Sequence, residues 1–236
     1  MTKGGVEVQA LNDVDFSIAE GEMVAVMGTS GCGKTTLLNV ISGIDFADSG
    51  EIVIDRINLS AISWREMGEF RRNHIGIIFQ NFNLLDSLNA EENIMVPLML
   101  NELDYDLAYA RIEEIAKDIG IEDILKKRIY ELSGGQQQRV AICRAIVNHP
   151  RFLLADEPTG NLDSLSSGKV MECLTKINRE KGMTILMVTH DQQIANYCQR
   201  VIVMEDGRVR YILNNDDDLY RQLAEISRGQ QINYGQ

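Results

Sequence analysis

The chain has 236 residues, 44% of them hydrophobic and 25% charged, which is typical of a globular protein with one large or two small domains. Asp and Glu number 35 against 23 Lys and Arg, and this net charge of −12 argues against nucleic-acid binding, which needs a basic surface. No apolar run approaches the roughly 18 residues of a spanning helix, so we expect a soluble intracellular chain. The cysteines are far apart, which predicts neither a metal site nor a disulfide framework.

The first part of the chain predicts a strand, a loop and a helix in immediate succession. Residues 22–28 are a short apolar run that ends in glycine, as in a buried parallel strand. Residues 34–42 carry leucine and isoleucine at helical spacing, and Gly43 suits the helix end. Further apolar runs of strand length, the later ones alternating with helical segments, predict an α/β sheet; they are residues 75–79, 152–155, 184–188 and 201–204.

The sequence between the runs at 75–79 and 152–155 has a different pattern. These roughly 70 residues contain no strand-like segment. Its apolar residues follow a helical rhythm, clearest at Ala108, Ile112, Ile115, Ala116 and Ile119. We interpret it as a helical lobe inserted into the sheet.

The two ends of the chain predict less regular elements. Residues 6–18 and 50–54 alternate like half-exposed strands, and residues 207–213 suggest a late hairpin arm. Beyond Asn214 we expect a short acidic helix to close the chain.

A phosphate-binding loop is the strongest chemical signal in the sequence. Residues 28–35 match GxxxxGK[ST], and the motif stands between a predicted strand and a predicted helix, as it must. The glycines let backbone N–H groups face the phosphates, and Lys34 adds a full charge at the β and γ phosphates. Thr35 places a hydroxyl on Mg²⁺, and Thr36 is near enough to contact the α phosphate. The predicted nucleotide contacts are Gly28, Thr29, Ser30, Gly31, Cys32, Gly33, Lys34, Thr35 and Thr36.

Two acidic residues follow the apolar run at 152–155. Ligands of open α/β sheets bind at the carboxyl ends of the strands, where Asp156 and Glu157 are predicted to lie. Asp156 suits the magnesium shell, and Glu157 is placed to polarise an attacking water.

Residues 132–136 read Leu-Ser-Gly-Gly-Gln and precede a predicted helix over 136–148. Ser133 would be its N-cap, and alone the segment is a capped helix behind a flexible turn. The alternative is a second anion site, in which Ser133, Gly135 and Gln136 present a hydroxyl and backbone amides to a phosphate. One chain holds one triphosphate in its phosphate loop, so a second site suggests a dimer that shares nucleotides across its interface.

The chain resembles the ATP-binding cassette family over nearly its whole length. Residues 132–136 resemble the family's signature, and Gln80, Asp156-Glu157, residues 160–163 and His190 match its glutamine loop, second Walker motif, interface loop and switch histidine. The segments Asp-Glu-Pro-Thr-Gly-Asn-Leu-Asp and Gly-Glu-Met-Val-Ala-Val-Met-Gly resemble the cytoplasmic ATPases of lipoprotein-releasing and macrolide-exporter systems.

The resemblance implies an α/β fold. It has a phosphate-loop core with a mostly parallel sheet, an N-terminal antiparallel β subdomain and an inserted α-helical subdomain. Residues 1–236 would form one ATPase domain, with the core and its β arm at 1–82 and 150–236 and the helical subdomain, which carries the signature, at 83–149.

The resemblance also implies a mechanism. Two cassettes sandwich two ATP molecules with Mg²⁺, and each phosphate loop faces the partner's signature segment. Glu157 would be the general base, His190 would contact the γ-phosphate, and Gln80 would sense Mg²⁺ and the membrane partner. Thr35, Gln80 and Asp156 would then form the protein part of the metal shell.

Two functions from different classes follow from these expectations. The first is an energy-coupling ATPase on the inner face of the cell membrane, driving a separately encoded permease that exports a lipoprotein or an antimicrobial compound. The second is a soluble ATPase switch that regulates a cell-envelope or assembly complex without transport.

The sequence departs from the family at the adenine site. No aromatic residue precedes Val6, where the side chain that stacks on adenine usually lies, and Phe16 alternates like a core residue.

Overall fold

The computed structural model of the chain describes residues 9–215 and 219–227. Its strands are β1 (Met23–Gly28), β2 (Val53–Ile54), β3 (Ile57–Asn58), β4 (Ile75–Ile78), β5 (Phe152–Asp156), β6 (Thr184–Val188), β7 (Arg200–Glu205) and β8 (Arg208–Asn214). Six of them form one sheet in the order β4-β5-β6-β1-β7-β8, and β2 pairs with β3 in a separate antiparallel ribbon.

The central strands are parallel and covered on both faces. β1 pairs in parallel with β6 and β7, and β5 pairs in parallel with β4 and β6. Every residue of β6 is buried, which explains its continuous apolar sequence without alternation. β8 returns antiparallel to β7, so the predicted late hairpin is confirmed. The predicted α/β fold with a mostly parallel sheet is confirmed as well.

Eight α-helices lie in the described part of the chain. They are α1 (Lys34–Ile41), α2 (Trp64–His74), α3 (Ala90–Leu100), α4 (Tyr105–Ile119), α5 (Gly134–Ile146), α6 (Ser164–Lys181), α7 (Gln192–Ala195) and α8 (Leu219–Ser227). Helices α3 to α5 occupy the stretch between β4 and β5, where the sequence predicted a helical lobe. Helix α2 was missed, because its buried apolar face consists only of Met67 and Phe70.

The helical lobe does not have a core of its own. Its buried side chains belong to the same apolar cluster as Met23, Ala25 and Ile185 of the sheet. Gly76 of β4 makes this packing possible, because a Cβ there would lie 2.5 Å from the carbonyl oxygen of Ala145 in α5. A second apolar cluster, formed with α1 and α2, covers the opposite face of the sheet.

The prediction of a strand at residues 6–18 is wrong for residues 9–18, the part of this segment that the structure describes. Residues 9–18 form no strand, although Val14, Phe16 and Ile18 alternate with exposed neighbours and pack on the second cluster. The alternation therefore reflects burial of one side of an extended segment that no strand pairs with. In the N-terminal part that the structure describes, the antiparallel pairing consists of the β2–β3 ribbon.

The end of the chain is described only in part. A helix beyond Asn214 is present as α8, while the acidic residues 216–218 and residues 6–8 lie outside the described residues. Within residues 9–215 and 219–227, no helix is both long and apolar enough to span a membrane.

Candidate functional site

Four adjacent parallel strands deliver the predicted catalytic residues to one edge of the sheet. In the order β4, β5, β6 and β1, their carboxyl ends lead into Gln80, Asp156-Glu157, His190 and the phosphate loop. Parallel neighbours end at the same edge, which is where open α/β sheets bind ligands. Residues far apart in sequence therefore meet in one cleft.

The phosphate loop, residues 28–35, depends on its glycines. Gly33 has φ 101°, a left-handed conformation, and it precedes α1 without a side-chain cap, so the first N–H groups of α1 have no capping side-chain acceptor. A Cβ at Gly28 would contact the carbonyl oxygen of Met204 and lie 2.6 Å from the Sγ of Cys32. The backbone thus forms a cradle at a helix N-terminus, where a phosphate is stabilised.

Lys34 places its ammonium group inside this cradle. Its Nζ donates to the carbonyl oxygens of Gly28 and Thr29 at 2.8 Å each, and it lies 3.7 Å from the Sγ of Cys32. The side chain is only 8% exposed. Phosphate oxygens are stronger acceptors than these carbonyls, because their negative charge adds an attraction between opposite charges. Lys34 is thus already directed at the position of the phosphates.

Asp156 and Thr35 supply oxygen atoms beside the cradle. Burial, followed by the charge of Glu157, raises the pKa of Asp156, while a hydrogen bond from Thr35 and the charge of Lys34 oppose that rise. A divalent cation stabilises such a half-buried carboxylate in its ionised form, and Mg²⁺ prefers oxygen ligands, usually a few protein oxygens together with phosphate and water. The donor set therefore fits ATP with Mg²⁺.

Glu157 and His190 form a hydrogen-bonded pair next to this oxygen site. Glu157 Oε1 lies 2.9 Å from His190 Nδ1, with side-chain exposures of 20% and 67% respectively. The backbone of Glu157 is left-handed, with φ 45°, and its N–H donates to the carbonyl oxygen of Val188 at 3.0 Å. This bond ties Glu157 to the end of β6 and so to His190. The carboxylate is held facing the cleft, as a general base needs.

The side chain of Gln80 lies close to the Glu157–His190 pair, next to Gly160. A Cβ at Gly160 would lie 2.9 Å from Gln80 Nε2 and 3.0 Å from Glu157 Oε2, so both side chains border this glycine. Asn161 follows, and its Nδ2 donates to the carbonyl oxygen of Gln80 at 3.0 Å and to Asn81 Oδ1 at 2.9 Å. Sequence reasoning placed residues 160–163 in an interface loop but gave Asn161 no side-chain role.

The signature residues lie on a different surface of the chain. Ser133 caps α5, since its Oγ accepts from the N–H of Gln136 at 3.4 Å while Gln136 Oε1 accepts from the N–H of Ser133 at 2.9 Å. Ser133, Gly135 and Gln136 line an open cavity of about 400 Å³, and its remaining lining residues are Arg139, Ser166 and Lys169. No phosphate-loop residue lines this cavity. Within one chain, the signature group is thus separate from the phosphate cradle.

The described part of the segment before β1 approaches the phosphate loop at Ala10 and Leu11, neither of which is aromatic. A Cβ at Gly33 or Gly207 would contact the carbonyl oxygen of Ala10. Phe16 packs half-buried on the second core cluster, as its alternation predicted. Residues 1–8, where the family's stacking side chain is usual, lie outside the described residues.

Comparison with known proteins gives one consistent answer. Residues 11–160 match the family described as "ABC transporter". The ABC transporter ATP-binding protein YxdL of Bacillus subtilis is 48% identical over 227 residues, covering 95% of this chain and 88% of that protein. The bacitracin export ATP-binding protein BceA of Halalkalibacterium halodurans is 41% identical, over 89% of this chain and 83% of that protein.

Solved structures agree with these relatives. The ATP-binding cassette MJ0796, solved as a dimer in a post-hydrolysis state with bound ADP and Pi, has a TM-score of 0.83 and 40% sequence identity. The match covers 91% of this chain and 95% of that one. The phosphate cradle, the half-buried Asp156 and the Glu157–His190 pair lie at one sheet edge. The chain belongs to the ABC transporter family as an ATP-binding subunit that hydrolyses ATP with Mg²⁺.

Proposed function

We propose that this ATPase drives a separate membrane permease from the inner face of the cell membrane, in a system that extrudes a lipoprotein or an antimicrobial compound. The observation that carries the catalytic part is the 2.9 Å contact between Glu157 and His190, next to Asp156 and the phosphate cradle. The relative BceA is a bacitracin export ATP-binding protein, which supports an antimicrobial compound as the cargo.

Glu157 acts as the general base in this proposal. Its carboxylate accepts a proton from the attacking water, and His190 holds the carboxylate in place and reaches the γ-phosphate. Lys34 and the backbone amides of the cradle stabilise the charge on the transferred phosphoryl group. Thr35, Asp156 and Gln80 would hold Mg²⁺, which would supply further positive charge at the phosphates.

The signature surface provides the argument for dimerisation. Ser133, Gly135 and Gln136 present a capped helix start beside Arg139 and Lys169, yet this cavity is lined by none of the residues that bind the phosphates in the same chain. A second cassette brings its nucleotide to that surface, which completes both sites. Within each cassette we assign residues 83–149 to the helical subdomain, and residues 1–82 and 150–236 to the core.

A groove between the core and the helical lobe is the proposed permease-docking surface. It measures about 530 Å³ and is lined by Glu69, Arg72, Asn73, Leu100, Asn101, Glu102, Leu103, Arg111 and Asn148. These residues come from α2, from the end of α3 and its connection to α4, from α4 and from the segment before β5. Leu100, which is 64% exposed, and Leu103 are the apolar residues of this lining. A short helix from a permease loop, apolar on one face, fits such a groove.

The test is capture of the membrane partner with a hydrolysis-deficient variant. Glu157→Gln keeps the shape and the contact with His190 but cannot accept the proton, so turnover should fall about 10²- to 10⁴-fold while ATP binding persists and an ATP-bound dimer accumulates. Tagged Glu157→Gln, purified in mild detergent with ATP and Mg²⁺, should bring a stoichiometric multispanning protein. Recovery of soluble proteins alone would instead support the regulatory switch, and near-normal turnover would remove Glu157 as the base.

A matched pair of variants tests the groove. Leu100→Asp should abolish recovery of the membrane protein and leave the ATP turnover of the isolated subunit unchanged. Leu107→Asp is the control, because Leu107 is similarly exposed, at 60%, on α4 but lies outside the groove. Equal recovery with both variants would place the permease on another surface.

A further inference from the structure

The turn after β4 has an unusual backbone. Residues 79–83 leave β4, and Phe82 and Asn83 are both left-handed, with φ 60° and 49°. Such conformations are uncommon for residues other than glycine and persist only where the surroundings hold them. Within the turn, the N–H of Phe82 donates to the carbonyl oxygen of Phe79 at 3.1 Å. Gln80 projects from this turn, so its position depends on what fixes the backbone.

One side chain holds the far end of the turn from the helical lobe. Arg144 of α5 donates to the carbonyl oxygens of Phe82, at 2.8 Å, and of Asn83. Burial lowers the pKa of Arg144 from its ordinary value, which reflects the cost of enclosing the guanidinium group there. The two carbonyl oxygens that Arg144 binds lie two and three residues after Gln80. The carbonyl oxygen of Gln80 itself accepts a hydrogen bond from a different residue.

Asn161 holds that peptide. Its Nδ2 donates at 3.0 Å to the carbonyl oxygen of Gln80 and at 2.9 Å to Asn81 Oδ1, so both amide protons are directed at the turn. Asn161 belongs to the loop between β5 and α6, and its neighbour Gly160 is the residue that Gln80 Nε2 and Glu157 Oε2 border. The loop that follows Glu157 therefore sets both the backbone and the surroundings of Gln80.

We propose that Asn161 is a positioning residue for Gln80 and, through it, for the magnesium-dependent step of ATP hydrolysis. The inference rests on the proposed role of Gln80 as a group that senses Mg²⁺. Asn161 does not touch the reacting atoms in this scheme. Its two hydrogen bonds keep the Gln80 side chain at the cleft, and their loss lets the turn relax and weakens the response of the site to the metal.

The test compares two variants with a matched control. Asn161→Ala removes both hydrogen bonds, and Asn161→Asp keeps the shape but removes the donor. The control is Asn215→Ala, because Asn215 Nδ2 also makes two bonds, to the carbonyl oxygens of Asn196 at 2.7 Å and Cys198 at 2.8 Å. These bonds lie at the end of β8, the outermost strand on the other side of the sheet.

Amide hydrogen exchange gives a readout without turnover. In nucleotide-free protein, both Asn161 variants should speed exchange of the peptide that covers residues 79–84, where the N–H of Phe82 is protected by the turn. Asn215→Ala should leave this peptide unchanged. Thermal stability should fall no further in the Asn161 variants than in the control, since each loses a similar pair of hydrogen bonds.

Kinetics gives the second readout. The Mg²⁺ concentration for half-maximal turnover should rise about tenfold in the Asn161 variants, with ATP affinity in the absence of metal unchanged. Gln80→Ala should cause a similar shift. The double variant Asn161→Ala/Gln80→Ala should be no worse than Gln80→Ala alone, because two residues that act through one group are not additive.

The outcomes separate the inference from its premise. A normal magnesium response in both Asn161 variants, with a clear shift in Gln80→Ala, would overturn the positioning role and leave the assignment of Gln80 intact. An unshifted Gln80→Ala would overturn both. Additive losses in the double variant would also overturn the inference, because they would show that Asn161 acts independently of Gln80.

Discussion

Replacing Gly76 by alanine tests how the helical lobe is joined to the sheet. The new Cβ would lie 2.5 Å from the carbonyl oxygen of Ala145 and 2.7 Å from Leu153 Cδ1, whereas ordinary contacts begin at 3.4 Å. Helix α5 must therefore move away from β4 by about 0.9 Å. Overpacking of this kind costs about 1–3 kcal/mol. For a chain of this size the midpoint of thermal unfolding should fall by about 2–12 °C.

The same movement should reach the active site. Helix α5 begins next to Ser133 and carries Arg144, which holds the turn after Gln80. Because a misplacement of about 1 Å can cost on the order of 100-fold in rate, we expect ATP turnover to fall by about tenfold or more. Turnover is measured well below the unfolding transition, so that loss of folded protein does not contribute.

Gly168→Ala is the control, with the opposite sign. Gly168 lies inside α6 with nothing within 4 Å of the new methyl group, so alanine should stabilise the chain by about 0.5–1 kcal/mol through helix propensity. Circular dichroism on heating compares both variants with the unmodified chain. A midpoint for Gly76→Ala at or above that of the unmodified chain would refute the close packing of α5 on β4.

Two further predictions concern the cleft. Lys34→Ala removes the ammonium group from the phosphate cradle and should weaken ATP binding about 10- to 150-fold, the worth of one charge-assisted hydrogen bond; unchanged affinity in a fluorescent-nucleotide titration would contradict the cradle. Asp156→Asn should raise the unfolding midpoint of the nucleotide-free chain at pH 7, because the raised pKa means that the ionised carboxylate is disfavoured in the folded state. This gain should vanish as the pH falls below about 4, where the carboxyl is protonated both folded and unfolded, and an equal gain at both pH values would exclude titration of Asp156 as its cause.

Local sequence was sufficient wherever the determining interactions are between near neighbours. The phosphate loop, β1 and α1 follow from a glycine pattern between an apolar run and a helical repeat, and the structure places β1 at Met23–Gly28 and α1 at Lys34–Ile41. Ser133 was predicted as the N-cap of α5, because the capping box lies within four consecutive residues. In contrast, the alternation at residues 9–18 misled, since half-burial of an extended segment looks the same with or without a pairing strand.

Tertiary structure alone decided what these elements meet. The strand order puts Gln80, Glu157 and His190 beside the phosphate loop. That order depends on pairing between residues 32 to 162 positions apart rather than on any local pattern. The bonds from Asn161 to Gln80 span 81 positions, and those from Arg144 to Phe82 span 62. A side-chain amide in a loop has no sequence period that reveals its acceptor. The sequence motifs therefore identify the chemistry of the site. The contacts that position the site residues depend on the sheet, which brings distant loops to one edge.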